Sequence, residues 1–303
     1  MKSKPERIVP HLWFDKEARE AANFYVSVFG KDSKINHAAT LSDTPSGDAE
    51  TISFEIFGYP FMAISAGPYF TFNPSISFIV TCESREEIDR IWDRLSEGGG
   101  VLMPIDQYPF SERYGWLRDK YGLTWQLIMP GPDEKPAPRI IPSFLFVGEV
   151  YGKAEEAINH YVSIFKEASA GPVFRYGPGR EPDKEDAVMF ADFTLNGQKF
   201  AAMDSAREHG YKFNEAVSLM IYCDGQEEID YYWERLSAVP EAEQCGWLKD
   251  KYGVSWQVVP VDLDEMMRKG TKEQMDRVTQ AFLKMKKFDV AALKEAFANA
   301  AMV

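Results

Sequence analysis

Cysteine and histidine are scarce in this 303-residue chain, which has three of the first and four of the second. Cys82, Cys223 and Cys245 give neither a disulfide framework nor a zinc-ligand spacing, so a reducing compartment is expected. The histidines, at positions 11, 37, 160 and 209, build no serine, histidine and acid constellation, and a nucleophilic mechanism draws no support from them. Cationic charge is in deficit as well, with 34 Lys and Arg against 47 Asp and Glu, a net charge of −13. A chain so acidic is repelled by phosphate backbones and anionic lipid, which argues against nucleic-acid and membrane partners. Long apolar runs are missing: no segment approaches membrane-spanning length, and Met1 to Arg7 is short and charged. The expected location is the cytoplasm. No glycine-rich cofactor loop joins a strand to a helix, since Gly98-Gly99-Gly100 follows a helical pattern and Gly177-Pro178-Gly179 sits in a polar stretch.

What is present is a repeat. Gly115 to Leu127, reading GWLRDKYGLTWQL, returns at Gly246 to Val258 with conservative exchanges only. Asn23 to Phe29 reappears as Asn159 to Phe165, Glu86 to Ser96 as Glu227 to Ser237, and Cys82 as Cys223. Matching order and spacing point to one ancestral unit duplicated and fused, a period far too long for a solenoid. With 45% apolar residues, each copy has the material for a core of its own.

Within one copy, Ile8 to Phe14 reads as a strand, and Ala18, Ala21, Ala22, Tyr25 and Val28 recur at helical spacing until Gly30. Thr51 to Phe57 and Phe61 to Ser65 flank a Gly58-Tyr59-Pro60 turn as a hairpin, and Ser75 to Thr81 is another strand. Ile88, Ile91, Trp92 and Leu95 mark the clearest amphipathic helix. Tyr114 to Leu117 and Leu123 to Met129 form a last hairpin around Asp119 to Gly122. The predicted organisation is a first domain over 1–130, a proline-rich linker over 131–138, a second domain over 139–261 and a helical tail over 262–303.

This run of elements resembles the paired βαβββ modules of the vicinal oxygen chelate superfamily, which includes glyoxalase I, extradiol dioxygenases and fosfomycin-resistance proteins. More narrowly it resembles the PhnB-like branch, often labelled 3-demethylubiquinone-9 3-methyltransferase. The likeness is carried by Ile8 to Phe14 running into Phe24-Tyr25 and Val28-Phe29, by Phe61-Met62-Ala63, by Asp119 to Leu127 and by Phe282 to Leu293 in the tail. It implies an α+β fold of two tandem domains, each of paired βαβββ modules forming a cupped mixed sheet, joined as an internal pseudo-dimer in a monomeric chain. It also implies a divalent metal held by the first and last strands of each module. Matched residue by residue, those slots fall on Val9, Ala63, Ser75 and Gln126 in the first copy, and on Ile141, Ala202, Ala216 and Gln257 in the second. Aliphatic side chains offer a cation no lone pair, so no cofactor is expected.

The resemblance therefore implies a small molecule in a cup lined by Val9, His11, Trp13, Ser75 and Gln126, and a second cup lined by Ile141, Ser143, Ala216 and Gln257. No reaction is assigned to either. The alternatives are a metal-dependent lyase, isomerase or dioxygenase, and a non-catalytic scaffold or regulatory module. His11 is open to four readings: ligand, general base, polar cavity wall or structural residue. Gln126 and Gln257 can donate and accept but cannot act as bases, so they orient a substrate or belong to buried networks. Trp92, Trp125, Trp233 and Trp256 are spaced as core. Tyr108, Phe110 and Tyr114 are read as a loop near the final hairpin, able to close as a lid or to fold back on the domain.

Overall fold

Alternating apolar residues make strands here, and each helix buries the stripe that its 3.6-residue period provides. The computed structural model describes residues 8–131 and 138–298, so most of the expected linker lies outside the described residues. The first copy runs β1 (Ile8–Phe14), α1 (Ala18–Phe29), β2 (Lys34–Thr44), β3 (Gly47–Ile56), β4 (Tyr59–Ser65), then β5 (Ile76–Thr81), α2 (Arg85–Ser96), β6 (Gly100–Tyr108), β7 (Ser111–Arg118) and β8 (Thr124–Ile128). The second runs β9 (Ile140–Val147), α3 (Ala154–Ile164), β10 (Ser169–Arg175), β11 (Val188–Leu195), β12 (Gln198–Ser205), β13 (Val217–Cys223), α4 (Gln226–Leu236), β14 (Trp247–Lys249) and β15 (Ser255–Pro260). Three helices close the chain: α5 (Val261–Lys269), α6 (Lys272–Phe282) and α7 (Val290–Ala298). The α+β class and the doubled arrangement are as the repeat predicts.

Each sheet is assembled from both copies. The seven-stranded sheet has the order β14-β15-β13-β1-β4-β3-β2, and the eight-stranded sheet the order β10-β11-β12-β9-β5-β8-β7-β6. The junctions are antiparallel: β1 pairs with β13 in the register His11 to Ser218, and β5 pairs with β9 in the register Ser77 to Ser143. This corrects the grouping of cup residues expected from sequence. His11 and Trp13 share a sheet with Gln257, while Ser143 shares one with Gln126.

The last module departs from the other three. Its helix is followed by a 3-10 turn at Pro240–Ala242, where the corresponding module of the first copy has β6. The vacated edge is met by the tail, because the backbone N–H groups of Cys245 and Gly246 donate to Met285 O and Lys286 O at 2.8 and 2.7 Å. Sheet edges left bare are sticky, and this one is covered.

On the outer faces, α1 to α4 bury the core. Trp125 and Trp256 are fully buried, each a gain of roughly 2–3 kcal/mol over exposure. Both indoles answer to a buried carboxylate. Asp119 accepts from Trp125 Nε1 at 2.9 Å, Tyr25 OH at 2.8 Å and the backbone N–H of Tyr121 and Leu123 at 2.9 and 3.1 Å. Asp250 repeats the arrangement with Trp256, Tyr161, Tyr252 and Val254. Since α1 packs on the first sheet and the β7–β8 turn belongs to the second, the Tyr25 to Asp119 bond ties the two sheets together.

Candidate functional site

Strand alternation sends odd and even residues of β1 to opposite faces. Ile8 and Leu12 enter the core under the helices, whereas His11 and Trp13 face the concave side. From neighbouring strands the same face receives Met62, Ser53, Met220, Gln257 and Trp247, and the tail lays Leu263, Met267 and Phe282 across the opening. Together they enclose a cavity of about 1090 Å³, large enough for a small organic ligand.

The floor of this cavity is aromatic and neutral. His11 meets Trp247 edge-on with ring centroids 5.4 Å apart, and Trp13 meets Trp247 and Phe70 at 5.9 and 5.1 Å. Trp13 is anchored by its Nε1–H, which donates to Gly67 O at 2.8 Å. His11 is 5% exposed, and its Nδ1 is buried with no partner among the described residues. Desolvation lowers its pKa from 6.5 to about 3, so the imidazole is neutral at physiological pH. The amide of Gln257 is fixed by donation from Nε2 to Ser218 Oγ at 2.9 Å. Glu215 also reaches the cavity, but it is paired with Lys249 at 2.8 Å.

The second cup is arranged differently. Gln126 Nε2 donates to Ser77 Oγ at 2.7 Å, and Tyr114 OH donates to Gln126 Oε1 at 2.8 Å. Tyr114 is itself buried against Tyr108 and Phe110, with ring centroids 5.4 and 5.0 Å away. These three residues, expected in a loop, belong to the β6–β7 hairpin. Ser143 Oγ and Trp116 Nε1 are buried there without partners among the described residues.

Of the residues picked from sequence, the structure brings His11, Trp13 and Gln257 together in the open cup, and Ser143 beside Ser77 and Gln126 in the other. Val9 and Ile141 fall outside the cavity lining, and Ser75 and Ala216 lie just ahead of β5 and β13. Ser77 and Ser218, two positions further on, are the residues that hold the glutamines. Trp247, Ser218 and Cys245 were missed. The duplicated Gly-Trp pair was the signal that pointed to Trp247. Cys82, by contrast, is buried with its thiol pKa pushed up to about 12, as an inert core thiol should be.

A divalent metal does not fit these donors. Ala63 and Ala202 face the helices and not the cup, and among the described residues no three His, Cys, Asp or Glu side chains converge as a ligand set. A single imidazole beside an amide and a hydroxyl is too weak a set.

A family model described as 3-demethylubiquinone-9 3-methyltransferase matches the chain twice, over residues 6–128 and 138–259. The chain belongs to that family. The two matches fall one in each copy, so the family's unit stands here twice in tandem. Among solved structures, it is similar to a Bacillus cereus PhnB protein, named a putative 3-demethylubiquinone-9 3-methyltransferase, with 39% identity over 41% of this chain and 99% of that one, at a TM-score of 0.38. Glyoxalase I from Zea mays, 12% identical, covers 87% of this chain and 95% of its own with a TM-score of 0.55, which shows a shared fold. The fosfomycin resistance protein FosX from Listeria monocytogenes is 16% identical over 44% of this chain and 98% of its own, with a TM-score of 0.33. No curated protein matches. Among the described residues no helix is long and apolar enough to cross a membrane.

Proposed function

We propose that this family member binds one neutral, mainly apolar small molecule in the cup lined by His11, Trp13 and Gln257, and that it does so without a catalytic metal or S-adenosylmethionine. The observation that carries the reading is the open aromatic cavity, with His11, Trp13 and Gln257 in its floor. The second reading, a metal-dependent lyase, isomerase or dioxygenase, finds no ligand set among the described residues. A scaffold with closed cups is disfavoured by the open one.

The test is titration with Nile red, a neutral apolar dye, followed by dye emission and tryptophan quenching. One saturable site per chain is expected, lost on filling the cavity with Met62→Trp; unsaturable binding, or binding untouched by that substitution, refutes the reading. Elemental analysis of protein purified without chelators should find no stoichiometric divalent metal, and calorimetry no S-adenosylmethionine binding. A full equivalent of metal or a micromolar affinity for that cofactor overturns the corresponding part. The three free thiols and net charge of −13 suit a cytoplasmic protein.

A further inference from the structure

The closed cup contains the group that the open cup lacks. In sequence Tyr114 and Cys245 both stand immediately before the duplicated Gly-Trp pair, but Tyr114 lies in strand β7 whereas Cys245, at φ +51°, sits in a tight turn closed between Gln244 and Trp247. In the closed cup the phenol of Tyr114 donates to Gln126 Oε1 at 2.8 Å while Gln126 Nε2 is held by Ser77. In the open cup Gln257 Nε2 is held in the same way by Ser218 at 2.9 Å. Cys245 brings neither ring nor hydroxyl, and Gln257 Oε1 accepts from no group among the described residues.

Resting on the reading that this cavity is a ligand site, we propose that it takes a hydroxyaromatic molecule, whose hydroxyl donates to Gln257 Oε1 as Tyr114 does to Gln126. The tether to Ser218 fixes the amide so that its oxygen is the free end, an acceptor and not a donor. Trp13, Trp247 and Phe70 supply edges and faces for an aromatic ring. The charged groups lining the cavity are mostly acidic, Glu215, Glu241 and Asp264, which disfavours an anionic head group, and Glu215 is paired with Lys249. Arg268, exposed on α5, is the one lining cation among the described residues.

Calorimetry with 2-naphthol, 2-methoxynaphthalene and 2-naphthoate tests this. The methyl ether keeps the ring system and oxygen but has no proton to donate. Wild-type protein should bind 2-naphthol at least about tenfold tighter than either analogue, the worth of one well-made hydrogen bond. Gln257→Leu should reduce that preference below about threefold, and Met62→Trp, which fills the cavity, should weaken 2-naphthol by more than about tenfold. Equal affinities of wild type for 2-naphthol and its methyl ether overturn the hydroxyl assignment and leave the cavity a ligand site. Failure of all three naphthalenes while Nile red saturates overturns this proposal alone; failure of Nile red as well overturns the cavity reading. Should either variant fail to melt cooperatively, the wild-type comparison decides.

Discussion

Burial strips the imidazole of His11 of water, and two buried groups in this chain consequently respond to pH in opposite directions. His11 has a folded pKa lowered from 6.5 to about 3, because desolvation penalises the charged ring. The unfolded chain therefore binds the proton more readily, and stability that is present above 6.5 is lost as pH falls toward 3, by up to about 1.4 kcal/mol per pH unit. Asp119 has a folded pKa raised from 3.8 to about 6, since desolvation outweighs its four hydrogen bonds. Its contribution is present below 3.8 and lost as pH rises through 6. We expect His11→Leu to flatten the decline in melting temperature between pH 6.5 and 5 relative to wild type. Parallel curves for the two proteins would show that the ring is solvated or partnered.

At the scale of elements, the buried aspartates clamp helix to hairpin. Asp119→Asn leaves an amide N–H₂ facing donors from Trp125, Tyr25 and two backbone groups, so about 2–4 kcal/mol should be lost in chemical denaturation. Tyr25→Phe removes one of those bonds and should cost about 1 kcal/mol. A neutral result for Asp119→Asn would refute the clamp. Gly246 is the corresponding pivot for the tail: its φ is +82°, and a Cβ there would lie 2.4 Å from the Phe288 ring. Gly246→Ala should destabilise by about 1–3 kcal/mol and speed hydrogen exchange over residues 283–290. Exchange unchanged there would mean that the tail is held elsewhere.

These elements were unequally legible. Strands β1, β3 and β4 and helices α1 and α2 follow from periodicity, because each has one face in the core. Strands β2 and β6 are edge strands with largely exposed residues, and the pattern of Lys34 to Thr44 carries no clean alternation to reveal them. The open cup was half legible. His11, Trp13 and Gln257 stand out as residue types on a concave strand face, but which glutamine faces which histidine depends on pairing between copies. Nothing local in the sequence encodes that.

The whole molecule turns on that exchange of modules. Because β1 pairs with β13 and β5 with β9, neither copy completes a sheet by itself, and β13 is the repeat equivalent of β5 as β9 is of β1. A protein of residues 1–131 alone would leave both junction edges bare. Two such halves can satisfy one another, since β1 of one meets β5 of the other at each junction, with the antiparallel register already used twice here. Light scattering should therefore give twice the calculated mass for the isolated half, and a folded monomer would refute the account of the junctions. In that dimer both cups would hold His11 beside Gln126, with the Tyr114 phenol already on the amide oxygen. It should accordingly fail to distinguish 2-naphthol from 2-methoxynaphthalene, whereas the full chain, having exchanged tyrosine for Cys245 in one copy only, should separate them.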